Sequence, residues 1–315
     1  MSTAWVAGVV RGRALAQRRL GAGGARHLAE QPSLDAALGV LHEASYGHDV
    51  SVGQDLRTAQ RGVAAAVLWN LRVLAGWLPR DGAEVVRTLA GGFEVANVEA
   101  HLARLQGSAT TAEPFALGTL DVAGQRLAAA TSVPSAQAVL EASPWRVRAG
   151  AAVDELQLAL RLAWADAVAA RVPEAATWAR AAAVLQVLRR VAVAGEPVPP
   201  SVLTQASAVV SPAFAATVTT APEDLDAVRA SLPSAIAWVL EGVAEPAELW
   251  RAEARWWLRV EDEAFALLRG SGYGRRPVVG VIGVLAVDAW RVRAALECAA
   301  RGGSGAVLEA FDAVA

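Results

Sequence analysis

Residues 277 to 302 constrain this chain more than any other stretch. From Pro277 to Gly302 the sequence reads as one long helix, because Ile282, Leu285, Ala289, Val292, Leu296 and Ala299 recur at steps of three and four and share a face. Pro277 near the start and Gly302 just past the end fit the preference for proline at the opening of a helix and glycine beyond its close. Trp290, Arg293 and Glu297 fall along the edge of the apolar face. A weaker version of the pattern runs from Glu94 to Gly107. The chain therefore reads as a set of related helical modules.

Composition narrows the function classes. With 315 residues the chain is long enough for two or three domains, and at 54% apolar and 19% charged it is not a disordered polymer. A net charge of -2 offers no electrostatic case for nucleic acid. All 29 basic residues are arginine, as a GC-rich genome would produce, so a Walker A lysine, a Schiff base and a pyridoxal attachment are excluded. Cys298 is the only cysteine, which rules out an intramolecular disulfide and a multi-cysteine metal site and fits a reducing compartment. No signal peptide is expected. The longest apolar run, Val278 to Val287, ends at Asp288 and is about half of what a membrane span needs, so the chain is expected to be soluble or at most peripheral.

Helices are predicted over Trp5 to Leu20, from Ser33 as N-cap to the corner Glu43-Ala-Ser-Tyr-Gly47, over Asp55 to Leu78, and over Ala83 to Leu105 with a break at Gly91-Gly92. Gly21-Ala-Gly-Gly24 is expected to interrupt the first pair, and Pro79-Arg-Asp-Gly82 to form a turn. Pro134 opens a helix that ends in Glu141-Ala-Ser-Pro-Trp145; Val153 to Val172 and Pro173 to Ala194 follow as a pair. Gly195-Glu-Pro-Val-Pro-Pro200 reads as a linker. Thr220-Ala-Pro-Glu223 reads as a capping box for Leu225 to Leu232, and Leu249 to Leu268 as a long Trp-rich helix. Only Ala208 to Val210 and Val218 look β-like, so the class is all-α.

Two markers recur in order: a helix with Trp or Asn near its start, then a shorter helix ending in Ala-Ser. Trp5 precedes Ser45 by 40 residues, Asn97 precedes Ser143 by 46 and Trp178 precedes Ser231 by 53, while Trp290 has no second marker after it. Glu43-Ala-Ser-Tyr46 against Glu141-Ala-Ser-Pro-Trp145 is the best local match. The division is three modules, residues 1-80, 81-171 and 172-315, the last including the closing helix.

Three stretches carry a resemblance to a known family: Ser33 to Gly47 after an Arg-rich first helix, Glu94-Val-Ala-Asn97 leading to Gly107, and Pro277 to Gly302 with Asp288-Ala-Trp-Arg-Val-Arg293. In order and spacing the chain resembles the C-type subunit of the archaeal and bacterial A/V-type rotary ATPases, known as the d-type subunit in the eukaryotic V-type enzyme. It departs from that pattern at Trp5, over Pro197 to Pro246, and in lacking lysine. The resemblance implies three similar helical modules arranged as a funnel around a central opening. It also implies a non-catalytic central-stalk subunit that couples the central shaft to the membrane rotor ring of a proton- or sodium-translocating ATPase. The expected partners are shaft and rotor-ring subunits, at the cytoplasmic face of the membrane, with no cofactor, nucleic acid or small-molecule substrate. Arg11, Arg13, Tyr46, Asn97, Trp290, Arg293 and Glu297 are the residues expected at partner or inter-module contacts.

The residues alone leave other readings open, namely a soluble α-helical repeat scaffold for another protein and an enzyme with a Trp-lined pocket. His27, His42, His48 and His101 are poorly spaced for a metal and suit solvent-facing or capping positions. Glu261-Asp-Glu263 reads as a solvated helix face. Trp256 and Trp257 read as one ring in the core and one in a groove, or as interfacial anchors. Arg293 and Glu297 stand four apart, the spacing of a helical ion pair.

Overall fold

In the computed structural model, residues 3–108, 113–147, 152–305, 308, 311 and 312 are described, and no strand occurs among them. The fold is all-helical. The helices are α1 (Val6–Gln17), α2 (Gly21–Ala29), α3 (Leu34–His42), α4 (Leu56–Gly76), α5 (Arg80–Leu89), α6 (Gly91–Leu105), α7 (Gly124–Ala128) and α8 (Val133–Ala142). They continue with α9 (Val153–Arg171), α10 (Ala176–Leu188), α11 (Pro200–Val209), α12 (Pro212–Thr220), α13 (Leu225–Ser231), α14 (Leu249–Arg269) and α15 (Arg275–Ala300). The β-like residues Ala208 and Val218 lie inside α11 and α12.

The chain forms two compact units, one made of the residues up to Val86 together with those from Trp257 on, the other running from Arg87 to Trp256. Unit 1 is built on α15, which packs against α1, α2, α3 and α4. Of its 26 residues 18 are buried, and from Pro277 to Leu285 burial is unbroken. The single stripe read from the sequence therefore understates this helix, which is enclosed on most sides. Glycine makes the enclosure possible. A Cβ on Gly280 would lie 2.6 Å from the Ala264 carbonyl oxygen, so the backbone of α14 comes too close for any side chain. Each fully buried Val, Leu or Ile contributes about 1.5–3 kcal/mol relative to exposure.

Unit 2 is organised by α9, which packs against α6, α10 and α11. The expected break near Gly91 falls at Ala90, between α5 and α6. The two glycines serve packing: a Cβ at Gly91 or Gly92 would come within 2.8 or 2.7 Å of the Trp164 ring. The Trp164 indole N–H donates to the Thr88 carbonyl at 2.9 Å, which fixes the ring over the bare backbone.

The predicted cap at Ser33 holds, and Asp55 caps α4. The Ser33 hydroxyl accepts from the Ala36 amide at 3.2 Å and Asp55 accepts from the Thr58 amide at 2.9 Å, each serving an amide that its helix leaves without a partner. Three local expectations are corrected. Gly21 to Gly24 is the first turn of α2 rather than a break, because a side chain elsewhere in unit 1 binds the amides at its opening. Pro79-Arg-Asp-Gly82 opens α5 rather than forming a turn, with the Pro79 carbonyl accepting from the Ala83 amide at 2.9 Å. The cap of α13 is Asp224, which accepts from the Ala227 amide at 2.9 Å; Thr220 ends α12 and its hydroxyl donates back to Ala216.

Candidate functional site

Unit 1 carries one buried carboxylate whose oxygens are fully engaged. Asp288 ends the longest apolar run of the sequence and lies 2% exposed on α15. Its Oδ2 accepts from the Leu20 amide at 3.0 Å and its Oδ1 from the Gly21 amide at 2.7 Å, the first two donors of α2. Oδ2 also accepts from the Tyr46 hydroxyl at 2.8 Å. Gly21 has φ +73°, a left-handed conformation that favours glycine, at the point where the chain turns its amide to the acid. Gly47 has a similar local necessity, since a Cβ there would lie 1.9 Å from the His42 carbonyl oxygen. The chain can therefore fold tightly back at the end of α3 and keep Tyr46 inward. Burial, then the Asp288 charge and hydrogen bond, push the Tyr46 hydroxyl far above the ordinary tyrosine range, so it stays a donor.

Unit 2 contains the same device with different side chains. Glu94, 1% exposed on α6, accepts from the Ala123 amide at 2.6 Å and from the Val122 amide at 3.1 Å, at the opening of α7. The aromatic in the place of Tyr46 is Trp145. Its buried indole N–H pulls the Glu94 carboxyl downward but falls short of a well-formed hydrogen bond. Burial wins, and the Glu94 carboxyl is raised above its ordinary range, with Asp121 adding repulsion. Asp121 also binds α7, accepting from the Gly124 amide at 2.9 Å. Two carboxylates thus share one helix opening here, where unit 1 uses a carboxylate and a phenol.

The correspondence extends beyond the clamps. Each short clamped helix is followed by a second one capped by serine, Ser33 for α3 and Ser132 for α8. Ala-Ser follows the end of α3 and closes α8, in each case just before the aromatic, and Ser33 to Tyr46 and Ser132 to Trp145 are both thirteen residues apart. A cavity of about 310 Å³ adjoins each clamp. One is lined by Arg18, Arg19, Ser45, Tyr46, Asn70 and Asp288, the other by Glu94, Asn97, His101, Arg104, Phe115 and Asp121, among others. In the third marker pair, Trp178 is buried in α10 with its carbonyl accepting from the Trp256 indole at 2.8 Å, and the Ser231 hydroxyl donates to the Val228 carbonyl at 2.6 Å.

The residues singled out from the sequence take distinct places. Tyr46 joins the α15 helix through Asp288. Asn97 grips the backbone of Phe115 twice, its side-chain amide donating to the carbonyl at 2.9 Å and its oxygen accepting from the N–H at 2.7 Å. Trp290 stacks on Trp257 with ring centres 5.3 Å apart. Arg13 donates to the carbonyls of Gly270 and Gly272 at 2.5 and 3.3 Å and pins the loop between α14 and α15. Arg11 is exposed and lies over the Trp77 ring. Glu297 pairs forward with Arg301 at 2.6 Å and accepts from Gln60, while Arg293 is exposed and offers its carbonyl to Gln60. His42 and His101 meet the carbonyls of Val50 and Ala130.

Three residues outside that set matter as much. Glu94 and Asp288 were visible as acids within apolar helical stripes, a pattern that demands a partner because an unpaired buried charge is costly. Arg291 is the third. Its side chain is 4% exposed and paired in two places with Glu261, so that acid belongs to a buried ion pair and not to a solvated face. Among the described residues no group of three or more His, Cys, Asp or Glu is arranged to hold a metal ion. The clamped carboxylates accept hydrogen bonds from the chain's own donors, so what they do chemically is fix short helices against long ones. No helix among the described residues is long and apolar enough to cross a membrane. No protein-family model matches this chain and no curated protein matches it, so the repeated carboxylate clamp is the feature from which its function has to be read.

Proposed function

We propose that the chain is a non-catalytic central-stalk subunit of a V/A-type proton- or sodium-translocating ATPase. In this reading it couples the central shaft to the membrane rotor ring at the cytoplasmic face. The observation that carries the reading is the clamp found twice, at Asp288 with Tyr46 and at Glu94 with Trp145. It coincides with the three stretches in which the sequence resembles the stalk component of the rotary ATPases. The reading includes three modules, 1-80, 81-171 and 172-315, around a central opening. A rotor adaptor has to carry torque without shearing. Short helices fastened by buried hydrogen bonds to long ones suit that demand, since close-packed interiors transmit strain.

The test is affinity purification of the tagged chain from detergent-solubilised membranes of its source organism. The expected result is recovery with rotor-ring and shaft subunits in fixed ratio, together with ATP hydrolysis that the recovered complex performs and the isolated chain does not. Recovery free of any ATPase subunit would overturn the reading and leave the helical scaffold for another soluble partner.

A further inference from the structure

Unit 1 has an outer surface that the clamps do not explain. Helix α1 turns Gly8, Gly12 and Ala16 inward and leaves Val6 and Val10 38% and 54% exposed. The neighbouring α4 and the residue that caps its end carry two outward rings, Trp69 at 57% and Trp77 at 51% exposed. An arginine lies over each ring: Arg11 over Trp77 at 5.5 Å and Arg72 over Trp69 at 5.8 Å from the ring centre. Large exposed apolar groups of this kind mark an interaction surface.

The charge of these two helices is one-sided. Arg11 and Arg13 stand on α1 and Arg57, Arg61 and Arg72 on α4, and neither helix contains an acidic residue. We infer that the outer face of α1 and α4 docks on an anionic lipid surface. Indole rings favour the headgroup level, arginines beside them meet lipid phosphates, and valines reach the acyl boundary. A surface with two exposed valines on α1, two exposed indoles and no acid in either helix suits lipid better than an acidic protein partner, which would need hydrogen-bonding groups of matched position. The inference stands on unit 1 alone and does not depend on the rotor reading.

The test uses the full chain and protein-free vesicles, one set of phosphatidylcholine and one of phosphatidylcholine with phosphatidylglycerol, compared by flotation at low and high salt. Binding to the anionic vesicles that weakens with salt is expected. The double variant R11Q/R72Q should bind about thirtyfold more weakly at low salt, and W69S/W77S should lose most of the binding. All four side chains lie at the surface, and circular dichroism with thermal unfolding confirms that each variant folds. The control is W250S. Trp250 is also exposed and lies beneath Arg251, but that arginine is neutralised by Glu248 at 2.6 Å, so W250S should bind as the unaltered chain does. Equal binding to both vesicle types, no binding to either, or binding that the paired variants leave unchanged would overturn the inference. So would binding of polyglutamate with no binding of anionic vesicles under the same conditions.

Discussion

Units 1 and 2 solve one problem with different chemistry. In each, a short helix has to be held by its opening amides against a longer helix, and a buried carboxylate on the long helix does it. Unit 1 completes the acceptor with the Tyr46 hydroxyl at 2.8 Å, whereas unit 2 offers an indole N–H that does not reach good geometry and a second carboxylate, Asp121, at the same opening. A phenol strengthens the clamp by adding a donor; a second acid weakens it by adding repulsion. Burial is the main reason the Glu94 carboxyl is raised, and the Asp121 charge adds to it. The two sites share an architecture but differ in the donors and charges that complete it.

The comparison can be broken by removing each acid. Asp288→Ala leaves two amides and a phenol without an acceptor in a buried site and should cost about 4 kcal/mol, measured by urea unfolding. Glu94→Ala removes fewer contacts, and Asp121 still holds Gly124, so about 3 kcal/mol is expected. Hydrogen exchange sharpens the assignment: the first variant should expose the amides at the start of α2, the second those at Val122 and Ala123. Loss of protection at both openings in either variant would mean that the clamps are not independent.

The aromatic partners should differ in the same direction. Tyr46→Phe deletes a formed hydrogen bond in a buried site and should cost about 1–2 kcal/mol at neutral pH. The folded Tyr46 hydroxyl titrates far above the unfolded one, so its contribution is complete below the unfolded value of about 10 and is lost as pH rises beyond it. The phenylalanine variant should lack that alkaline loss in a series of unfolding curves. Trp145→Phe removes an indole N–H without a well-formed bond and should cost less than Tyr46→Phe, on the order of 1 kcal/mol including the lost ring area. A larger effect than at Tyr46 would show that the indole is the better donor.

The smallest expected effect is a pH dependence with opposite sign to the usual carboxylate. Because burial raises the Glu94 carboxyl, the folded unit binds that proton more tightly than the unfolded chain does. Its contribution is complete below the unfolded value and falls away as pH rises through the raised folded value. The melting temperature of the unaltered chain, relative to Glu94→Gln, should therefore rise between roughly pH 7 and roughly pH 5. A relative fall over that interval would mean that the hydrogen bonds to Glu94 outweigh its burial.

Much of this was legible in the sequence. Local chemistry announced the helices, the serine cap at Ser33, and the matching corners at Tyr46 and Trp145, because caps and helical periodicity act within a few residues. Asp288 and Glu94 sit as acids in apolar stripes, but neither was among the residues expected at contacts, and nothing in the sequence named their partners. Along the chain, the closing helix has no second marker after Trp290. In the fold it meets the corner at Tyr46, near the other end of the chain, through Asp288.

The sequence by itself determined that this protein is built of helices, where most of them begin, and that a short pattern of Ser cap, Ala-Ser and aromatic repeats. Tertiary structure alone decided that α15 belongs with the first helices, that glycines at 21 to 24 open a helix rather than interrupt one, and that Glu261 answers a buried arginine. The physical reason is range. Propensity and capping are settled by neighbours in the chain. A buried charge is settled by whichever donors the packing brings to it, here Leu20, Gly21 and Tyr46 for an acid more than 240 residues away.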